Sequence, residues 1–302
     1  MKNKELFGVV LAIFAAVISG IAIPVNKIFV VDIDPTVFTA VRSVLVGLVF
    51  LLISFRTHGI SKKLLKHDWK YIALIAVIGG ALAFLLFFTG LKFTTAGRAA
   101  FLQKTLPIYA ALFAFIFLKE KISKTQIYAL ILMLIGMGVI FSVQLKPAEL
   151  WMDPQFGDIL VVGATVLWAL ESVFVKKVMK DGTSNFIVSF ARMFFGGLVL
   201  FGAVVLTGRL GALYSLTLQQ WNNIFISVCV LFGYVLFWYW SLKHTGVTKA
   251  SSLLLIAPVV SVLAGYMWLG EPLSAIQLFG SALILIGAYF VVTIKSEVET
   301  GV

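Results

Sequence analysis

The chain carries almost nothing that reacts or binds metal. It has one cysteine, Cys229, and three histidines, His58, His67 and His244. A lone thiol excludes an intramolecular disulfide, and imidazoles so scattered offer no ligand cluster, so neither a metal site nor a redox cofactor is expected. Charge is scarce too: charged residues make up 12% of the chain against 61% hydrophobic, and the mean hydropathy is +1.06. That is too little polar surface to wrap a soluble core. Paired aspartates in an apolar run, an HExxH and a Ser/His couple are all missing, which argues against an intramembrane enzyme. No Walker phosphate loop is present, so any work must be driven by a gradient or by the substrate itself.

What is present is apolar sequence in lengths that cross a bilayer. At about 20 residues per crossing, ten spans are expected, near 6 to 30, 36 to 56, 70 to 91, 97 to 118, 124 to 143, 157 to 178, 185 to 207, 221 to 242, 247 to 269 and 274 to 294. The connections leave no room for a soluble domain. The N-terminal run lacks a small-residue cleavage site and is read as the first span, retained. The formal charge of +11 would suggest nucleic acid in a soluble protein. Here the basic residues sit between apolar runs, so the bilayer is the expected partner and nucleic acid is not. With the N-terminus inside, sixteen lysines and arginines fall on the inner side and five on the outer, which places both termini in the cytoplasm and points to a multi-pass protein of the plasma membrane.

The chain also repeats itself. Leu91 to Ser123, LKFTTAGRAAFLQKTLPIYAALFAFIFLKEKIS, returns without a gap as Leu242 to Ser274, LKHTGVTKASSLLLIAPVVSVLAGYMWLGEPLS, 151 positions later. Each copy is a span broken by a proline and closed by Leu-x-Glu-x-(Ile/Leu)-Ser. Ser123 with Gln126, and Ser274 with Gln277, have the spacing of a capping box that opens the next helix. Arg42 to Val49, RSVLVGLV, matches Arg192 to Val199, RMFFGGLV, and Phe7-Gly8 matches Phe156-Gly157. Each half thus holds five spans, residues 1–146 and 147–302. Because five is odd, the halves are inverted about an axis in the membrane plane, and a binding site at their interface follows.

With its two five-span halves, paired Pro and Leu-x-Glu-x-(Ile/Leu)-Ser endings and Arg-x4-Gly-Leu-Val segments, the sequence resembles the EamA family of the drug/metabolite transporter superfamily. The resemblance covers nearly the whole chain. It implies an all-α fold of ten transmembrane helices in two inverted five-helix repeats. It further implies a central cavity lined by spans 1, 3, 4, 6, 8 and 9, with 5 and 10 peripheral, and cargoes such as amino acids and other small metabolites. Many members carry Trp-Gly in the first span; this chain has Ser19-Gly20 and keeps a tryptophan, Trp168, in the sixth.

Charges in hydrocarbon cost several kcal/mol and are kept for a reason. Glu171, midway along the sixth span, is the only core carboxylate; it reads as a proton-coupling group, an anchor for a substrate ammonium, or an internal partner that fixes packing. Lys104 is the only lysine well inside an apolar run, and snorkelling to the outer headgroups is the plain alternative. The internal repeat offers a control: Gln103-Lys104 correspond to Leu254-Leu255, and Glu171 to Ile21 or Ala22. Polar groups found in one half only are therefore the better substrate candidates. Arg42 and Arg192 recur in both halves and read as scaffold or snorkelling residues. Pro107 and Pro258 leave the carbonyls of Gln103 and Leu254 without helical donors, and Pro24 does the same for Gly20, near Ser19 and Asn26. These prolines, with Asn26, are read as hinges or cavity backbone. Trp168, Tyr234 and Tyr109 are candidate stacking surfaces, whereas Trp238, Tyr239 and Trp240 are expected in the interfacial belt.

The leading expectation is a secondary transporter, not an enzyme, that exports an amino acid or related zwitterion by alternating access. Lys104 and Glu171 would cradle the two charges, Trp168, Tyr234 and Tyr109 would wall the site, and Gln103, Ser172, Ser251 and Ser252 would act as neutral donors. A sugar-phosphate or nucleotide-type exchanger, with Lys104 on phosphate, is the alternative; a structural or sensory membrane protein is a further one. The oligomeric state is left open, a monomer included.

Overall fold

The computed structural model describes residues 3–29, 33–57, 69–143, 145 and 152–294, without the side chains of 23 and 26–29. Among these residues there are ten helices long and apolar enough to cross a membrane, and no strands. In chain order they are α1 (Asn3–Phe29), α2 (Pro35–Thr57), α3 (Trp69–Gly90), α4 (Ala96–Leu118), α5 (Lys124–Phe141), α6 (Phe156–Lys180), α7 (Asn185–Leu206), α8 (Leu218–His244), α9 (Val247–Leu269) and α10 (Ala275–Thr293). In a bilayer every backbone amide must be satisfied within the segment, so long apolar runs fold as helices. The helix starts follow local chemistry. Ser123 and Ser274 accept from the amides of Gln126 and Gln277, whose side chains accept in turn from the cap amides, so both capping boxes form.

Two of the prolines restart a helix. α4 consists of Ala96–Gln103 and Leu106–Leu118, with Pro107 in the first turn of the second piece. α9 has the same construction: Val247–Leu253, a tight turn at Leu254–Ile256, then Ala257–Leu269 with Pro258 in its first turn. A proline supplies no amide to the preceding turn, and its fixed φ suits a first helical position. α1, by contrast, runs through Pro24 unbroken.

The two halves are interleaved. α1 packs on α8 and α9 of the second half, while α6 packs on α3 and α4 of the first; α2 lies against α7, and α5 against α10. Small residues set the crossings. A Cβ on Gly136 would come 2.6 Å from the Gly280 carbonyl, and one on Gly280 would come 2.6 Å from that of Gly136, so α5 and α10 touch backbone to backbone. α3 and α7 meet in the same way, since Gly80 lies against Arg192 and Gly196. Each of these two helices widens there into a single π-turn, Ile78–Leu82 and Ala191–Phe195, a feature that re-aims side chains and backbone carbonyls.

Candidate functional site

Glu171 sits in the middle of α6 and is 2% exposed. A carboxylate so placed needs partners. Tyr239 of α8, fully buried, donates its hydroxyl to Glu171 Oε1. Arg192, carried inward by the π-turn of α7, places Nε 3.0 Å from the same oxygen. Both contacts fall on Oε1. Oε2 faces Gly79 of α3, where a side chain would overlap the carboxyl group. One turn earlier on α6, Trp168 donates Nε1–H to the Gly79 carbonyl at 3.1 Å and lies between Phe84 and Phe87, at centroid distances of 5.2 and 5.5 Å. α3, α6, α7 and α8 thus converge on one buried polar cluster.

Arg192 is the neighbour that composition and repeat reasoning did not pair with Glu171. It neither snorkels nor stands alone. Its repeat counterpart Arg42 donates to Ser227 Oγ at 3.1 Å and lies 4.9 Å from the centroid of Phe38. With Ile21 or Ala22 at the place of Glu171, the first half gives its arginine a hydroxyl instead of a carboxylate. Tyr239 is a correction as well: expected at the membrane interface, it is fully buried because it serves Glu171.

Lys104 closes the first piece of α4, where its amide is shared between the carbonyls of Ala100 and Phe101 at 3.3 and 3.0 Å. Its side chain is half-buried, and among the described residues its amine makes no hydrogen bond or ion pair. Gln103, beside it, is also half-buried. Leu106, just past the break, packs against the cluster of Ala83, Ala164 and Trp168, so the α4 break borders the apolar contacts of the Glu171 helix. Tyr109 and Tyr234 are half-buried against the main core. The serines are turned toward their own helices: Ser172 donates to Trp168 O at 2.8 Å, and Ser251 and Ser252 donate to Thr248 O at 3.1 and 2.8 Å. Their hydroxyl protons are committed, and only their lone pairs remain for a ligand. Pro24, Pro107 and Pro258 are all buried. α9 presses on α1 just where Pro24 removes a donor, since a Cβ on Gly20 would meet Ala257 O at 2.6 Å. The side chain of Asn26 lies outside the described residues. An apolar recess between α2, α3 and α7, lined by Ser54, Trp69, Ile72 and Phe190 among others, contains none of these polar groups.

The sequence profile of the EamA-like transporter family matches residues 6–142 and again 155–293, one match for each set of five helices. The chain belongs to the EamA-like transporter family. The relatives of this transporter include the uncharacterized transporter YyaM of Bacillus subtilis, 26% identical over 292 residues that cover 95% of this chain and 93% of that protein. An uncharacterized transporter of Archaeoglobus fulgidus is also 26% identical, over 293 residues covering 90% and 94%. A crystal structure superposes with a TM-score of 0.75 over 94% of this chain and 96% of its own, at 17% identity, and shows the fold alone. The EamA-like chain is therefore a multi-pass membrane transporter of all-α fold, two five-helix repeats deep.

Proposed function

We propose that this transporter exports a small zwitterionic metabolite, most simply an amino acid, across the plasma membrane. It would do so by alternating access between its two repeats, residues 1–146 and 147–302, with both termini cytoplasmic. One observation carries the cargo class: an uncommitted amine at the α4 break beside a helix whose buried carboxylate has one oxygen engaged and the other facing a glycine. The substrate ammonium takes Glu171 Oε2 and its carboxylate takes Lys104, with Trp168, Tyr109 and Tyr234 as walls. Arg192 and Tyr239 both hold Oε1 and so aim Oε2, which means the site is built before the cargo arrives.

A sugar-phosphate or nucleotide-type cargo would want several free cations. Arg192, Lys176 and Lys249 are all buried, but each is already engaged by a carboxylate or by backbone carbonyls. Among the described residues Arg42 has only the Ser227 hydroxyl and Lys104 has no partner, and it is Lys104 that sits on a helix packed along α6, which favours a cargo bearing one negative group there.

Counterflow of radiolabelled amino acids in liposomes tests the reading. Glu171→Gln and Lys104→Ala should each lower flux by about tenfold or more, the worth of one charge-assisted hydrogen bond, while the protein remains monodisperse. Wild-type flux in both variants would overturn the cradle, and no flux of any amino acid would overturn the cargo class.

A further inference from the structure

The Leu-x-Glu-x-(Ile/Leu)-Ser ending occurs twice, and capping explains only its serine. Its glutamates, Glu120 and Glu271, are repeat counterparts at the ends of α4 and α9. Each follows a residue in the left-handed conformation, Lys119 (φ 56°) and Gly270 (φ 65°), and each sends its amide back six residues, to Ala114 O and Gly265 O at 3.2 Å. Lys119 is the one non-glycine residue with positive φ among the described residues. The backbone therefore aims both carboxylates by the same device.

The contacts they make differ. Glu120 crosses to the other half and caps α9: Val247 N donates to Oε1 at 2.9 Å, and Thr248 N and Oγ1 each donate to Oε2 at 3.2 Å. At the same turn Lys176 of α6 donates to the Thr245 carbonyl at 2.8 Å, where α8 ends. A carboxylate on the positive end of one helix and an ammonium on the negative end of its neighbour clamp the α8–α9 turn. At the opposite end, the equivalent amides of α4 belong to Ala96 and Gly97, but that helix is capped by its own Thr95, which accepts from Arg98 N at 3.3 Å. Glu271 lies against Gly265 of its own helix. The packing follows suit. The first piece of α9 lies along the second piece of α4, whereas the first piece of α4 and the second piece of α9 do not pack on each other to a comparable extent.

Other end contacts are symmetric. Arg98 of α4 pairs with Asp158 in the first turn of α6, and Lys249, its counterpart on α9, pairs with Glu5 in the first turn of α1. Contacts formed in both halves belong to the scaffold; a contact formed in one half only reports the state. We propose that Glu120 and Glu271 are alternating gate residues: Glu120 closes one end of the pathway by capping α9, as seen here, and Glu271 closes the other by capping α4 at Ala96 and Gly97 in the opposite state. This rests on the alternating-access reading above.

Cross-linking of cysteine pairs in a Cys229→Ser background tests it without a known cargo. Lys121→Cys with Lys243→Cys reports the end closed here, and Pro272→Cys with Lys92→Cys its counterpart, using a short bifunctional thiol reagent. Glu120→Gln should lower the first yield and raise the second by about fivefold, the population shift produced by losing one charge at a helix terminus. Glu271→Gln should do the reverse. Yields that stay unchanged, or that both variants move in the same direction, overturn the proposal, because a merely structural glutamate would lower stability without exchanging the two yields. Failure of alternating access itself reads differently: a Lys104→Cys probe would then be labelled by a membrane-impermeant maleimide from one face of the vesicle only.

Discussion

Arg192 Nε lies 3.0 Å from Glu171 Oε1, with the two side chains 9% and 3% exposed, on consecutive helices of the second repeat. The pair is the electrostatic centre of the bundle, and Tyr239 completes it. Each charge is tolerable in hydrocarbon because the other is there.

Removing one member should therefore cost more than removing both. Glu171→Ala alone or Arg192→Met alone leaves a buried charge unpaired and should destabilise by about 3–5 kcal/mol, whereas the Glu171→Leu/Arg192→Met double variant should lose less than either. Thermal unfolding in detergent measures this, and additive losses would show that the two do not interact. Transport should fail in all three.

Trp168 and Gly79 give a graded pair of substitutions. Trp168→Phe keeps the ring between Phe84 and Phe87 but loses the 3.1 Å bond to the Gly79 carbonyl, a loss of about 1 kcal/mol. Gly79→Ala pushes a methyl into the Glu171 carboxyl. The alanine should be the worse of the two in the same assay, and its flux should fall toward that of Glu171→Gln.

The α5–α10 seam offers an internal comparison. Gly136→Ala inserts a methyl 2.6 Å from Gly280 O, while a methyl at Gly138 meets nothing within 4 Å. Gly136→Ala should lower the melting temperature. Gly138→Ala should leave it equal or raise it, since alanine is favoured over glycine inside a helix by about 1 kcal/mol.

Asp158 holds several donors at once: Thr94 Oγ1 at 2.6 Å, Arg98 Nη2 at 2.5 Å, and the Gln155 amide at 3.0 Å that closes the N-terminal box of α6. Asp158→Ala should cost about 3 kcal/mol or more, because it leaves the buried Arg98 unpaired. Asp158→Asn, which keeps an acceptor oxygen, should recover part of that loss. Equal losses for the two would assign the whole effect to charge.

Much of this molecule can be read without coordinates. Span length, the capping boxes at Ser123 and Ser274 and the proline breaks of α4 and α9 all depend on short-range chemistry: a helix must satisfy its own amides in lipid, and a proline has none to give. Glu171 stood out for a related reason, as the one carboxylate in a run where charge is costly. Its partners did not, because Arg192 is 21 positions away and Tyr239 is 68. Their meeting depends on a π-turn and a three-helix crossing. Arg192 also had a repeat counterpart, which pointed to scaffold or snorkelling and gave no hint of Glu171, and Tyr239 stood in an aromatic cluster whose linear position suggested the interface.

The sequence by itself determined ten apolar helices, their duplication, and the places where they start, break and stop, because those are decided within a few residues along the chain. Only the tertiary structure decided that α1 and α6 pack on the opposite repeat, that Glu171 is shared by α7 and α8, and that Glu120 caps α9 while Glu271 lies against its own helix. Those outcomes depend on which backbones come close enough to touch, and glycine positions such as Gly79, Gly80 and Gly196 permit a close approach without saying which helix will make it.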